Sequence, residues 1–575
     1  VAKLFRFLKP YSSYIGAILV LLFFQAMADL YLPTLMSNII NNGVVNGDSV
    51  YIMKIGGFML LVALGGAISQ IAASYLSSRT ATGFANDLRR NIFTKAESFS
   101  LHEFDKVGTS SMITRTTNDV TQIQQVTVMM LRMMIYAPIM AVGGIIMAIS
   151  KDKQLTWVLA VSIPLLGLVI FFVAKKAIPL FKLMQKKIDK INLVLRENLT
   201  GIRVIRAFNR QEDEKVRFED ASIDLTNTAI KVNKMMAVVM PIMMIIMNLT
   251  SVSIIWFGGI RIDNGDMQVG DMMAFIQYAM QIMFSFLMLA MMFVLIPRAE
   301  ASAERINEVL DMEPEIVDPK SADKADKERG YIEFKNVNFS YPGAEQPAIE
   351  DITFSARPGE TTAIIGGTGS GKSTLISLIP RFYDIQSGSI LVDGVDVREM
   401  TQENLRSKIG FVPQKAVLFT GTIAENIKYG KEDATDEEVK HAAEVSQAAD
   451  FVSKMKEGYD SVIAQGGTNV SGGQKQRLSI ARALVRKPEV YIFDDSFSAL
   501  DFKTDAKLRR ALKDETREAT VIIVAQRVST VMDADRIIVL DEGKIAGIGT
   551  HKELLSNNEI YREIVSSQLS EEELA

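Results

Sequence analysis

The chain has 575 residues, more than a single hydrophobic core organises, so at least two domains are expected. Its formal charge of −4 gives no reason to expect a nucleic-acid partner, and the absence of cysteine excludes disulfides, thiolate chemistry and cysteine-ligated zinc. The three histidines, His102, His441 and His551, are too scattered for a metal motif.

The hydrophobic content of 48% hides an asymmetry, with uncharged runs repeated before residue 300 and an ordinary soluble composition after residue 320. Residues 1–10 form a basic flank with Lys3, Arg6 and Lys9 but carry no small-residue cleavage signal. The apolar run that follows therefore reads as a retained span rather than a secretion signal. A bilayer core of ~30 Å needs ~20 apolar residues in a helix. Segments 14–39, 54–78, 133–150, 155–174, 235–260 and 272–297 meet or approach that length. The expectation is a multidomain membrane protein that begins with a six-helix, all-α transmembrane domain.

The N-terminus and the connections 79–128 and 175–234 are basic, whereas those near 40–53 and 261–271 carry few positive charges. Positive residues gather on the cytoplasmic side, so both termini are expected there, in a multi-pass protein of the cell membrane. Lys151 and Lys153, in the turn between the third and fourth spans, run mildly against that pattern. The two basic connections are too long for plain loops. Apolar periodicity, as over 180–194, predicts helices projecting beyond the membrane. Each is expected to turn over a short crosswise helix, near 102–108 and near 210–214, that transmits motion. Asp29 interrupts the first span, and three roles stay open for it: contact with a cationic substrate, pairing with Arg132, or a place near the surface on an offset helix. Methionines at 235, 236, 240, 243, 244, 247, 280, 283, 288, 291 and 292 suit an adaptable cavity for greasy ligands, and ordinary packing equally.

Residues 298–330 read as a linker, 331–339 as a strand, and Tyr341-Pro342-Gly343 as a turn. A β-like run, 361–365, then feeds Gly366-Gly367-Thr368-Gly369-Ser370-Gly371-Lys372-Ser373-Thr374, which fits the phosphate loop GxxxxGK[ST] and opens a helical run. There Gly366, Gly369 and Gly371 let backbone N–H groups approach phosphates, and the following helix adds its positive end. Lys372 is expected at the β- and γ-phosphates, Ser373 on Mg2+, and Thr374 in the same nucleotide-contacting turn. A second strand ends in Asp494-Asp495, with Asp494 placed to hold the metal or its water; a third, 521–525, ends at Gln526. In a mostly parallel sheet these strand ends gather at one ligand crevice, so the C-terminal half is expected to be an α/β P-loop domain.

With Val470-Ser471-Gly472-Gly473-Gln474, close to Leu-Ser-Gly-Gly-Gln, added to the phosphate loop at this spacing, the chain resembles the ATP-binding cassette exporters over almost its whole length. The resemblance implies a transmembrane domain at 1–315, a linker at 316–330 and an ATP-binding cassette at 331–575. It implies that Tyr341 stacks on adenine and that Gln414 links Mg2+ to the membrane domain. Ser498-Ala499-Leu500-Asp501 would cross a dimer contact. Ser471, Gly472, Gly473 and Gln474 would grip the γ-phosphate of an ATP bound by a partner's loop.

The chain departs from that family where chemistry is done. Asp495 stands where glutamate orients or deprotonates the attacking water, Gln526 where histidine stands, and Gln465 where many members have glutamate. Aspartate is one methylene shorter, and glutamine cannot titrate. Binding of Mg-ATP should survive while turnover suffers. Two weak sites and two sound signatures would be wasteful in a homodimer. The expected partner is therefore a second exporter half carrying the glutamate and histidine, a homodimer in which aspartate suffices being the main competitor, with membrane lipids and a hydrophobic small molecule as the other contacts. Multidrug-type export is the expectation; lipid flipping and an ATP-binding regulatory subunit are the alternatives.

Overall fold

Apolar runs too long for a soluble helix become continuous helices in the computed structural model, which describes residues 2–320 and 329–568. In chain order these are α1 (Ser12–Asn38), α2 (Ser49–Glu97), the short α3 (Leu101–Val107), α4 (Val120–Lys151), α5 (Thr156–Thr200), the short α6 (Ile202–Ala207), α7 (Gln211–Asp263) and α8 (Val269–Asp311). The six long ones are apolar enough and long enough to cross a membrane. With 49 residues in α2 and 53 in α7, they measure roughly 73–80 Å at the α-helical rise, more than twice a bilayer core of ~30 Å. The long connections are thus helical extensions. Part of the expected linker, 321–328, and the side chain of Met291 lie outside the described residues.

Two compact units emerge: Val1–Glu97 with Thr109–Met312, and Ser98–Gly108 with Glu313–Ala575. The division is not one cut in sequence, because α3 belongs with the C-terminal unit. The crosswise helix expected near 102–108 is α3. Its counterpart lies at Ile202–Ala207, earlier than 210–214, because Glu212, Asp213 and Glu214 occupy the first turn of α7, where acidic side chains favour a helix N-terminus.

Inside the first unit, charge is paired at both ends. Asp119, 3% exposed, accepts from Arg305 Nε at 2.8 Å, and Arg115 meets Glu308 at 2.7 Å, joining the lead-in of α4 to α8. At the opposite end Lys151 Nζ and Ser37 Oγ both donate to Asp271 at 2.7 Å, and Arg261 Nε donates to Asp152 at 2.6 Å. Lys151 is thereby neutralised, which explains why a lysine sits in a turn expected to be poor in positive charge. Gly270 is required there: a Cβ on it would fall 2.5 Å from Ser37 O. Asp29 is bound by Tyr136, whose hydroxyl donates to Oδ2 at 2.7 Å, and not by Arg132. The methionines divide, with Met243 and Met283 buried among Leu166 and Ile246, and Met236, Met240 and Met244 exposed one turn apart on α7.

The second unit is built on two sheets and a short β-ribbon. Its strands are β1 (Ile332–Phe339), β2 (Ile349–Ala356), β3 (Thr361–Gly366), β4 (Ser387–Val392), β5 (Val395–Asp396), β6 (Ile409–Val412), β7 (Gly421–Thr422), β8 (Val462–Ile463), β9 (Val490–Asp494), β10 (Thr520–Val524), β11 (Arg536–Asp541) and β12 (Lys544–Gly549). An antiparallel sheet runs β2-β1-β4-β5, and a six-stranded sheet runs β12-β11-β3-β10-β9-β6. In the latter all pairings are parallel except β11 with β12. Strands β9 and β10 are buried throughout, as near-continuous apolar runs demand when helices cover both faces. The parallel register places the ends of β3, β10, β9 and β6 side by side, so Gly366, Gln526, Asp494 and Gln414 converge from distant sequence.

Candidate nucleotide site

The loop after β3 is shaped by glycines that no other residue could replace. A Cβ on Gly366 would lie 2.0 Å from Leu540 O, and one on Gly371 2.7 Å from Ala348 O. Gly369 and Gly371 have φ of +83° and +93°, which side chains resist. Gly371 is the N-cap of α9 (Lys372–Leu378), with no side-chain cap to cover the first amides. Lys372, 9% exposed, donates to Gly366 O at 3.0 Å, Gly367 O at 2.6 Å and Ser370 Oγ at 3.3 Å. Burial pushes its ammonium below the usual lysine value, while Asp495 and Asp494 pull it back up. This is a cation held inside the loop and poised for phosphate oxygens.

Ser373 Oγ donates to Asp494 Oδ1 at 2.9 Å. Burial raises the Asp494 carboxyl, the bond from Ser373 opposes the rise, and Asp495 adds to it. A buried hydroxyl–carboxylate pair of hard oxygens is what a divalent cation relieves, so Ser373 and Asp494 fit Mg2+. Among the described residues no cluster of three acidic or imidazole groups could hold a metal alone. Mg2+ does not require such a cluster, since it takes one or two protein oxygens together with phosphates and water.

Asp495 is tied more tightly than its sequence position suggests. Its φ is +43° and its N–H donates to Val524 O at 2.9 Å. Its Oδ2 accepts from Gln414 Nε2 at 3.3 Å and from Gln526 Nε2 at 3.2 Å. Gln414, expected at the metal, meets Asp495 and leaves its amide oxygen as the end able to ligate a cation. Two partners had no signal in sequence because their contacts are long-range: Arg527 Nη2 donates to Ser498 O at 3.1 Å, and Gln568 bonds both Gln526 O and Val528 N–H.

Tyr341, 38% exposed, is 3.0 Å from Thr374 Oγ1 through its hydroxyl and meets Tyr383 edge-on at 5.4 Å. A ring presented from beside the phosphate loop is a suitable platform for a base. Tyr383 is raised to about 12 by burial, with Tyr341 and then Asp105 of α3 contributing. So α3 approaches the same aromatic cluster.

The residues Ser471–Gln474 stand apart. Ser471 caps α10 (Gly472–Val485), with Gln474 N donating to its Oγ at 3.3 Å and its own N–H donating to Gln474 Oε1 at 2.8 Å. Gly473 packs toward Ala499 O. Among the described residues no hydrogen bond joins this cap to Lys372, Ser373 or Asp494.

Docking of α3 depends on Glu103, 4% exposed, whose Oε1 accepts Glu315 N–H at 3.2 Å. Burial alone would raise its carboxyl, but bonds from the Ser100 side chain and backbone and from Glu315 hold it below the usual glutamate range. Because the folded value is depressed, this contribution is present above the ordinary glutamate value and is lost as pH falls through the lowered one. Protection factors over 101–107, from exchange rates corrected for their intrinsic pH dependence, should therefore fall on acidification through that window, and Glu103→Gln should remove that fall.

Residues 15–286 match the ABC transporter transmembrane region family, and residues 349–498 match the ABC transporter family. An uncharacterised ABC transporter ATP-binding protein of Mycobacterium tuberculosis is 44% identical over 99% of this chain and 98% of its own length. The ATP-dependent lipid A-core flippase of Chromobacterium violaceum is 31% identical over 98% and 97%. The structure of a bacterial Atm1-family ABC exporter with ATP bound superimposes with a TM-score of 0.81 at 25% identity, covering 97% of this chain and 99% of that one. With six membrane-crossing helices fused to an ATP-binding α/β domain, the chain belongs to the ABC transporters, which hydrolyse ATP, and has the exporter half-transporter fold.

Proposed function

We propose that this chain is the degenerate-site subunit of a heterodimeric exporter of hydrophobic or amphipathic compounds of the multidrug type, with both termini cytoplasmic. The observation that carries the reading is the Asp495 carboxylate held on one oxygen by the amides of Gln414 and Gln526. An acid that short, already hydrogen-bonded and lacking a titrating neighbour at 526, is a poor base for water, and a displacement of about 1 Å costs ~100-fold in rate. Nothing comparable weakens binding, which rests on Lys372, the loop amides, Ser373 and Tyr341. When bound through Ser373 and Asp494, with Gln414 beside them, Mg2+ supplies charge neutralisation of the phosphates.

The capped Ser471–Gln474 turn is sound, with Ser471 and Gly472 exposed, so it suits a partner's nucleotide. That partner would carry the glutamate and histidine. ATP retained at the Lys372 site keeps the cassettes together, and hydrolysis at the partner's loop resets a binding-driven shift between inward- and outward-facing populations. Lipid flipping is the second reading, supported by the lipid A-core flippase among the relatives.

Native mass of the membrane complex, followed by single-turnover hydrolysis on the purified pair, tests the proposal. The expected result is one copy of each of two different chains, with one fast and one slow site. A homodimer hydrolysing briskly at both sites would overturn it.

A further inference from the structure

The membrane unit contains a cavity that the nucleotide chemistry does not use. It lies between the start of α5 and the end of α7 and measures about 610 Å³, within the range of roughly 300–1,000 Å³ typical of small-molecule sites. From Ser253 to the end of α7, its wall runs roughly 15 Å at the helical rise, the depth of half a bilayer core. The chain's two tryptophans, Trp157 and Trp256, are 75% and 68% exposed at this level, and exposed tryptophans characteristically mark a membrane interface.

The two ends of the groove differ chemically. One is apolar, walled by Val161 and Phe257, and Ser162 in its lining is satisfied, accepting from Thr250 Oγ1 at 2.9 Å and donating to Val158 O at 2.8 Å. The other end carries Arg261 and Asp266, the only charged side chains in the lining. Arg261 is committed to Asp152 at 2.6 Å and to Gln154. Asp266 is 57% exposed and lies 3.6 Å from Arg261, a loose contact. Counting Asp152, the polar end has a surplus negative charge, and the free capacity is on Asp266. An anionic head would find the guanidinium already occupied.

We infer that this groove binds an amphipathic cation. Its ammonium head lies between Asp266 and the face of Trp157, and its apolar tail runs along Val161 and Phe257 within a single leaflet. Aromatic faces attract ammonium groups through their quadrupole, and a carboxylate adds charge to that preference. The inference rests on the membrane reading of this unit and is independent of which ATP site is the slow one.

The test is photolabelling of the complete exporter in lipid nanodiscs with a diazirine-tailed dodecyltrimethylammonium, against the same tail on a sulfate head. The ammonium probe should label peptides bearing Val161 and Phe257 about tenfold more than the sulfate probe, an aromatic-plus-charge effect of ordinary size. Asp266→Asn should remove that preference and Asp266→Glu should keep it. Equal labelling by both heads, or no effect of Asp266→Asn, would overturn the site. So would ammonium-probe labelling that falls on peptides of the partner subunit and not on those bearing Val161 and Phe257. Export assays on the same preparation separate the two readings: labelling without any export leaves the site and removes the exporter, and export without labelling does the reverse.

Discussion

Gly473→Asp in this chain should lower ATP turnover of the assembled pump by about a hundredfold or more, whereas Asp495→Asn should leave turnover within about twofold. The asymmetry follows from where each residue acts. Gly473 lies in the first turn of α10, a helix of 14 residues capped by Ser471. If that turn closes over the partner's γ-phosphate, a carboxylate there sets negative charge against negative charge. It also forces a Cβ to 3.0 Å from Ala499 O, disturbing the segment Ser498–Asp501. Asp495, in contrast, belongs on the proposed reading to the slow site, whose chemistry would contribute little to steady-state flux. Steady-state hydrolysis of the purified pair, with each substitution made separately, gives the comparison. Equal losses, or a larger loss from Asp495→Asn, would mean that the Lys372 site does the hydrolysis.

The second large effect is a gain. Asp495→Glu alone should raise hydrolysis at the Lys372 site by no more than about threefold, while Asp495→Glu with Gln526→His should raise it about 10- to 100-fold. Lengthening the acid restores reach, but the amides of Gln414 and Gln526 would still engage one carboxylate oxygen, as they do for Asp495 Oδ2. Hydrogen bonds to an ionised carboxylate stabilise the anion and make it a weaker base. Histidine at 526 removes one donor and places a titrating ring next to the phosphates. The measurement is single-turnover hydrolysis in pairs whose partner glutamate is replaced by glutamine, so that only the Lys372 site reports. A full gain from Asp495→Glu alone would show that side-chain length is the whole defect and that the two glutamines are bystanders.

Much of the architecture was legible because its signals are local or periodic. Apolar runs of bilayer length mark each long helix, since a membrane-embedded backbone must satisfy its own hydrogen bonds. The phosphate loop, the strand before it and the acids after β9 are contiguous, and their spacing is dictated by the phosphates they serve. Other features left weaker traces. The start of α7 was blurred by Glu212, Asp213 and Glu214, which read as a turn and form a helix N-terminus. A carboxylate in the first span was visible, yet its partner was not: Tyr136 lies 107 residues away on another helix, and a nearer candidate, Arg132, carried the complementary charge.

The residues of this chain, taken in order, determined six spans, a P-loop cassette and a Ser471–Gln474 turn, because each is a pattern within a few turns of backbone. Only the folded arrangement decided that Gln414, Asp495 and Gln526 share one carboxylate oxygen, that α3 joins the C-terminal unit through Glu103, and that the Ser471 cap makes no hydrogen bond to its own phosphate-binding residues. Each of these depends on which strand ends and helix ends become neighbours. That is set by parallel β-register and by the burial of apolar faces over separations of up to hundreds of residues.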